Sequence, residues 1–236
     1  MTPPRSLIII PAYNEALSIA SVVEDIRTNS EGHDILVIND GSADATEETA
    51  RSCGVRVITL PYNLGIGGAM QTGYLYAFRN GYDVAIQFDG DGQHMADQIK
   101  ALIAPLAGRQ ADVVIGSRFL GDKTYRSRFT RLFGIKILSA VISLLIGRRI
   151  TDPTSGFRAV NREVIGYYSC SYPDDYPEPE AVVLLHRARF RIAEVPASMR
   201  ERQAGSSSIT ALGGFYYMAK VILAIIIDMM KKISGR

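Results

Sequence analysis

The chain has no tryptophan, only two cysteines and only three histidines among its 236 residues. Cys53 and Cys170 make neither a metal-spaced pair nor a disulfide framework, which points to a reducing compartment. Charge of one sign is lacking too. Lys and Arg number 26 against 24 Asp and Glu, a net +2, too little for the basic footprint of a nucleic-acid binder, so no nucleic-acid partner is expected. The opening residues MTPPRSLIIIPAYNE hold no long apolar segment of the kind a signal peptide needs, so a cytoplasmic location is expected.

What is present is ordinary globular material. At 47% hydrophobic and 21% charged residues, the chain has enough apolar side chains for one large α/β domain or two small ones. Short β-branched runs recur at Ser6–Ile10, Asp34–Asn39, Val55–Leu60, Val84–Phe88 and Asp112–Ser117, and continuous apolar runs of this kind suit a parallel sheet covered on both faces. Helical patterns lie between them. One starts near Ser18, and a second over ADATEETARSCG carries Asp44 and Glu47 at capping-box spacing and Gly54 as its stop. GGAMQTGYLYAFRNG and ADQIKALIAPLAG supply two more. The order predicts a βαβ series, a mainly parallel central sheet flanked by helices, with ligands at the carboxyl ends of the strands.

Three of these strands end in polar clusters: PAYNE, NDGSADAT and FDGDGQH. In the last, Asp89 and Asp91 are separated by a single glycine, with Gln93 and His94 just beyond. Any one cluster is what an ordinary turn would use. Three converging on one sheet edge fit a nucleoside diphosphate whose phosphates are bridged to carboxylates by Mg²⁺ or Mn²⁺. A Rossmann dinucleotide site fits less well, because GIGGAM has Met70 where the third glycine belongs and follows the third strand rather than the first.

Taken in order, PAYNE, NDGSADAT, NLGIGGA, FDGDGQH, GSRF, DPTSGFRAVNRE and RERQAGSSSI resemble the family 2 glycosyltransferases of GT-A fold, over about residues 7–209. The resemblance is strongest to the dolichol-phosphate-mannose-synthase-like branch, which makes polyprenyl-phosphate sugars. Processive polysaccharide synthases would carry a Q-x-x-R-W motif, which a chain without tryptophan does not have. The resemblance implies a GT-A nucleotide-sugar-binding domain over 1–208 and an inverting, metal-dependent hexosyltransferase. In this reading Pro11, Tyr13, Glu15 and Asp40 hold the base and ribose of a nucleotide-sugar, and Asp89, Asp91 and Gln93 surround Mg²⁺ or Mn²⁺. Arg200 or Arg202 stabilises the departing diphosphate, while Arg118 and Arg126, Arg128 or Arg131 serve the phosphate of the acceptor. Asp152 is either an acid beside the acceptor or a turn residue before Pro153. Glu180 is placed to reach sugar hydroxyls, His94 is read as structural rather than as a ligand, and QAGSSSI is a candidate lid. Relatives often carry lysine where Ile66 stands, which leaves the donor open between a UDP-hexose or UDP-N-acetylhexosamine, favoured, and GDP-mannose.

The acceptor side, about residues 119–148, joins a basic stretch (Arg118, Lys123, Arg126, Arg128, Arg131) to RLFGIKILSAVISLLIG. The 11 uncharged residues from Ile137 to Gly147 are too few for a membrane span, which takes about 20. This segment suits a membrane-interface helix and a buried core helix equally. Residues 209–236, with Tyr216 and Tyr217 at one end and Lys231, Lys232 and Arg236 at the other, read as an amphipathic interfacial helix. The expected partners are a nucleotide-sugar, an undecaprenyl or dolichyl phosphate and a membrane surface. The expected location is peripheral on the cytoplasmic face, with recruitment by a small membrane protein or a flippase. Two alternatives stay open: the same fold glycosylating a saccharide or protein acceptor, or a non-catalytic nucleotide-sugar-binding subunit.

Overall fold

A computed structural model describes residues 4–121, 129–174, 176–200 and 220–227, with side chains from 132 onward in the second segment. One seven-stranded sheet organises the described chain. Its strands are β1 (Ser6–Ala12), β2 (Asp34–Asn39), β3 (Arg56–Thr59), β4 (Val84–Gln87), β5 (Val113–Ser117), β6 (Arg158–Asn161) and β7 (Ile192–Pro196), in the spatial order β3-β2-β1-β4-β6-β5-β7. All pairings are parallel except those of β6, which runs antiparallel to both β4 and β5. The five strands expected from apolar runs are all present. β6 and β7 were not foreseen, because RAVN and IAEVP are short and each carries a charged residue.

Alternation along β1 explains the two-sided core. Leu7 and Ile9 point to one face, where they pack with α3 (Gly65–Arg79), α5 (Phe129–Ile146), α6 (Arg162–Cys170) and α7 (Pro177–Arg187). Ile8 and Ile10 point to the other, against α1 (Ile19–Asn29) and α4 (Ile99–Ala107), with Ala50 of α2 (Thr46–Ser52) in the same cluster. All four β1 side chains are buried, and each such chain removed from water contributes about 1.5–3 kcal/mol.

One local expectation needs correction. At α2 the Asp44 carboxylate does accept from the Thr46 backbone N–H, but Glu47 pairs with Arg51 instead of reaching back, so the reciprocal capping box is not made. The apolar segment after the basic stretch is not apolar surface all round. Ile135, Leu138, Ile142 and Ile146 recur at helical spacing and enter the core, while Phe133 and Leu144 of the same helix face outward, Leu144 at 84% exposure. Residues 220–227 are helical and bury Val221 and Ile225 in the same cluster, leaving Leu223, Ile226 and Ile227 exposed. The rest of the expected C-terminal helix lies outside the described residues. Among the described residues no helix is long and apolar enough to cross a membrane.

Asp112, just before β5, binds three strands together. It accepts from the Arg191 backbone N–H at 2.8 Å and from its guanidinium at 2.9 Å, and from the Asn161 amide at 3.0 Å. The Arg191 hydrogen bonds outweigh burial and hold the Asp112 carboxyl below the ordinary carboxylate range. A depressed folded value contributes stability that is present above the unfolded pKa of about 4 and is lost as pH falls through the folded value. Asp112→Asn is therefore expected to destabilise the protein at pH 7 while flattening the acid limb of its stability curve. Urea unfolding from pH 3 to pH 7 reads both effects, and a variant with an acid limb as steep as the parent's would disprove the assignment.

Candidate functional site

Because β6 alone is inverted, its amino end and the carboxyl ends of the other six strands share one edge of the sheet. That edge collects the loops after β1, β2, β3, β4, β5 and β7 together with the DPTSGF turn leading into β6. Sites in open α/β sheets form at such an edge.

The loops after β1 and β2 interlock. Asn14, in the left-handed region at φ 56°, donates its backbone N–H to the Ser42 hydroxyl, and its side chain accepts from the Ala43 N–H, both at 2.9 Å. Pro11 closes β1 opposite Ile38. Tyr13 stands about half exposed beside this knot. The Glu15 carboxylate accepts from the Ser18 hydroxyl at 2.7 Å, at the start of α1. Asp40 is buried, and its Oδ1 accepts from the Leu64 N–H at 2.7 Å, which ties the second loop to the start of α3. Pro11, Tyr13, Glu15 and Asp40 are thus gathered around neighbouring strand ends, and both acids take local hydrogen bonds.

The FDGDGQH loop occupies the centre. Asp91 is buried and its Oδ1 accepts from the Gln93 N–H at 3.0 Å, a tight Asx turn. The Asp89 side chain is 31% exposed, yet its Oδ1 is enclosed and has no hydrogen-bond partner among the described residues. Its Oδ2 meets His94 Nε2 at 2.9 Å. His94 is itself buried, stacked on Phe157 with ring centres 5.0 Å apart and edge-on to Phe88, in keeping with the structural reading. Burial pushes the Asp89 carboxyl up, but the His94 imidazole, the Gln87 amide and the Arg118 guanidinium together hold it below the ordinary range. Gly156 of the DPTSGF turn lies against the same carboxylate: a Cβ there would sit 2.9 Å from both Asp89 oxygens.

Gln93 pairs with Arg200, accepting the Arg200 N–H on its backbone carbonyl at 2.9 Å. The Arg200 guanidinium, partly exposed, is held by Asp25 of α1 at 3.1 Å. Arg118 and Asp152 form a buried bidentate pair at 2.6 and 2.7 Å, and Asp152 also takes the Arg118 N–H and the Thr154 hydroxyl. Asp152 is completely enclosed. Glu180 is buried in the first turns of α7, beside Glu178. Arg126, Arg128, Arg202, Lys123 and QAGSSSI lie outside the described residues, as does the side chain of Arg131.

Among the described residues no group of three or more His, Cys, Asp or Glu side chains forms a ready metal cage. Asp89 with its enclosed, unsatisfied Oδ1, followed two residues on by Asp91, nonetheless fits a hard cation that draws its other ligands from phosphate oxygens and water. Two features escaped the sequence reading. Arg158, buried in β6, looked like an ordinary residue after a turn, and Glu178 looked like the start of a helix. No local signal marked either one, because β6 itself was not legible as a strand.

The profile of glycosyl transferase family 2 matches residues 7–168. The UDP-N-acetylglucosamine–dolichyl-phosphate N-acetylglucosaminyltransferase of Methanococcus voltae is 32% identical over 80% of this chain and 83% of its own length. The polyprenol monophosphomannose synthase of Mycolicibacterium smegmatis is 32% identical over 87% and 81%. A crystal structure of glucosyl-3-phosphoglycerate synthase from Mycobacterium tuberculosis, in complex with Mn²⁺, UDP and glucosyl-3-phosphoglycerate, superposes with a TM-score of 0.70 at 24% identity, covering 95% of this chain and 79% of that one. This last likeness bears on the fold alone, and the fold is GT-A-like.

Removing Asp152 leaves the Arg118 guanidinium buried without its carboxylate. Asp152→Ala is expected to cost about 3–5 kcal/mol of stability, read by urea denaturation. A loss below about 1 kcal/mol would show that the pair does not hold the turn.

Proposed function

The chain belongs to glycosyl transferase family 2, and on that premise we propose that it moves a sugar from a nucleotide-sugar to a polyprenyl phosphate. The observation that carries the reading is the meeting of the FDGDGQH carboxylates with the DPTSGF turn at the edge that also gathers Pro11, Tyr13, Glu15 and Asp40. The names of the two relatives support a polyprenyl-type phosphate acceptor. A UDP-hexose or UDP-N-acetylhexosamine is the favoured donor and GDP-mannose its competitor, since relatives named for N-acetylglucosamine and for mannose match at the same 32% identity.

The reaction needs little base. A phosphate monoester with a second pKa near ~6 already carries its nucleophilic charge at neutral pH. Its oxygen attacks the anomeric carbon as the bond to the diphosphate breaks, and direct displacement inverts that centre. Asp89, Asp91 and Gln93 hold Mg²⁺ or Mn²⁺, which when bound supplies Lewis-acid stabilisation of the departing diphosphate. Neighbours of GT-A type crystallised with Mn²⁺ or Mg²⁺ and UDP support a divalent metal. Arg200, turning from Asp25, or Arg202 stabilises the departing diphosphate. Asp152 acts on the acceptor side through Arg118, which it holds in place, and Arg126, Arg128 or Arg131 receives the lipid phosphate through paired donors. Glu180 reads the sugar hydroxyls.

The outward apolar side chains Phe133 and Leu144 of α5, with Leu223, Ile226 and Ile227, rest on the cytoplasmic face of a membrane. A small membrane protein or a flippase is the expected recruiting partner.

Transfer of label from UDP-glucose, UDP-N-acetylglucosamine and GDP-mannose to undecaprenyl and dolichyl phosphate tests the reaction. Asp91→Ala is expected to lower metal-dependent transfer at least ~100-fold. Transfer to a soluble saccharide or peptide without lipid would replace the acceptor assignment, and nucleotide binding without turnover on any acceptor would replace the enzymatic one. Leu144→Glu is expected to weaken co-sedimentation with anionic vesicles severalfold while leaving thermal unfolding unchanged, since Leu144 makes little use of the core. Unchanged sedimentation would remove α5 from the membrane contact.

A further inference from the structure

Arg158 is almost wholly buried, at 2% exposure, in a central strand. It lies directly across from Gln87 of β4 on one side and from Ile115 of β5 on the other. A guanidinium taken out of water costs several kcal/mol unless it is matched. Among the described residues no carboxylate stands within ion-pair range of it, and its Nη1 is enclosed without a hydrogen-bond partner. Its other nitrogens are committed to backbone: Nε donates to the Ser155 carbonyl at 2.7 Å and Nη2 to the Pro153 carbonyl at 2.8 Å. The side chain thus reaches three and five residues back and staples the DPTSGF turn onto its own strand.

That turn reaches Asp89 once directly and once through His94. Gly156 approaches so closely that a Cβ would meet both carboxylate oxygens at 2.9 Å and the Gln87 amide nitrogen at 3.1 Å. Phe157, the next residue, stacks on the imidazole of His94, whose Nε2 holds Asp89 Oδ2. The buried charge has a second effect close by: burial pushes the Glu178 carboxyl up, and Arg158 opposes that rise.

We propose that Arg158 is a positioning residue for metal binding, which fixes the Asp89 carboxylate by clamping the Pro153–Ser155 carbonyls and so seating Gly156 and Phe157 against it. The inference rests on the reading of Asp89 as a metal ligand. It assigns metal affinity to a side chain that touches neither metal nor substrate.

Mn²⁺ binding to the full chain in the presence of UDP, measured by titration calorimetry and by the electron paramagnetic resonance of free Mn²⁺, tests it. Arg158→Lys keeps the charge but not the two-carbonyl grip, Arg158→Gln keeps a donor without charge, and Gly156→Ala disturbs the carboxylate from the other end of the same chain of contacts. Each is expected to weaken Mn²⁺ about tenfold, with transfer activity lost at limiting metal and regained at saturating metal. The Arg158→Lys, Gly156→Ala double variant is expected to lose less than the product of the two single effects, because both act on one carboxylate. Parental Mn²⁺ affinity in both Arg158 variants, or full multiplication of the two effects, would overturn the proposal. Failure of both Arg158 variants to fold would make Arg158 a stability residue only and overturn it as well. Absence of Mn²⁺ binding by the unaltered chain is a different result, which would remove the metal reading itself and this inference with it.

Discussion

The bidentate pair between Arg118 and Asp152 joins the end of β5 to the turn before β6 in a place that water does not reach. Each ion alone would pay several kcal/mol for its burial, so the pair is tolerable only when both carboxylate oxygens are satisfied. They are, by two guanidinium nitrogens, the Arg118 backbone N–H and the Thr154 hydroxyl. A second carboxylate works on the same segment from the other side. Glu194 of β7 accepts from the backbone N–H groups of Thr151 and Asp152. With Arg158 gripping the carbonyls of Pro153 and Ser155, three charged groups on three strands fix one short turn. The turn matters because its glycine and phenylalanine lie against Asp89 and His94.

Strand direction makes that meeting possible. In an all-parallel sheet, the segment preceding a strand reaches the edge opposite the ligand side. Inverting β6 brings the start of the strand to the side where β4 ends, so a turn far along the chain is delivered next to FDGDGQH. The inversion also lets Gln87 and Arg158 face each other directly, two polar residues registered with Ile9 and Ile115 on the face that packs Tyr74, Tyr168 and Tyr172. Tyr172 donates to Gln87, and Gln87 in turn donates to Glu178. Polar groups at the floor of a core are costly when half-satisfied, and here they stand under the proposed donor site.

Much of this was legible from local pattern. The five apolar runs became strands with bounds shifted by no more than two residues, because continuous burial on both faces leaves a strong signal. FDGDGQH, NDGS and PAYNE could be placed at one edge from the βαβ order alone. The inverted strand could not. RAVN is four residues long and begins with arginine, and nothing local distinguishes an antiparallel insertion from a loop. α5 was legible only in part, since an apolar stretch says that a helix will be covered and not by what. The spacing of Ile135, Leu138, Ile142 and Ile146 answers one half of that question, with protein on the inner face. Asp152 was ambiguous for a related reason: a turn acid and a buried counter-ion have the same sequence signature, and only the position of Arg118 separates them.

Arg118 and Arg200 differ in what it takes to release them. Arg118 is enclosed with Asp152, and separating them would strand two buried charges at about 3–5 kcal/mol, so it stays where it is and organises the site from within. Arg200 is bound to Asp25 with its side chain 41% exposed, and pairs of that kind contribute at most about 1 kcal/mol. A diphosphate offers several charge-assisted hydrogen bonds where Asp25 offers those of one carboxylate. On the proposed reading a phosphate replaces Asp25 at modest cost, and the backbone pairing of Arg200 with Gln93 keeps the guanidinium beside the FDGDGQH loop. On the proposed reading, the site separates its cations by solvent access: buried Arg118 and Arg158 set geometry, and exposed Arg200 is available to the leaving group.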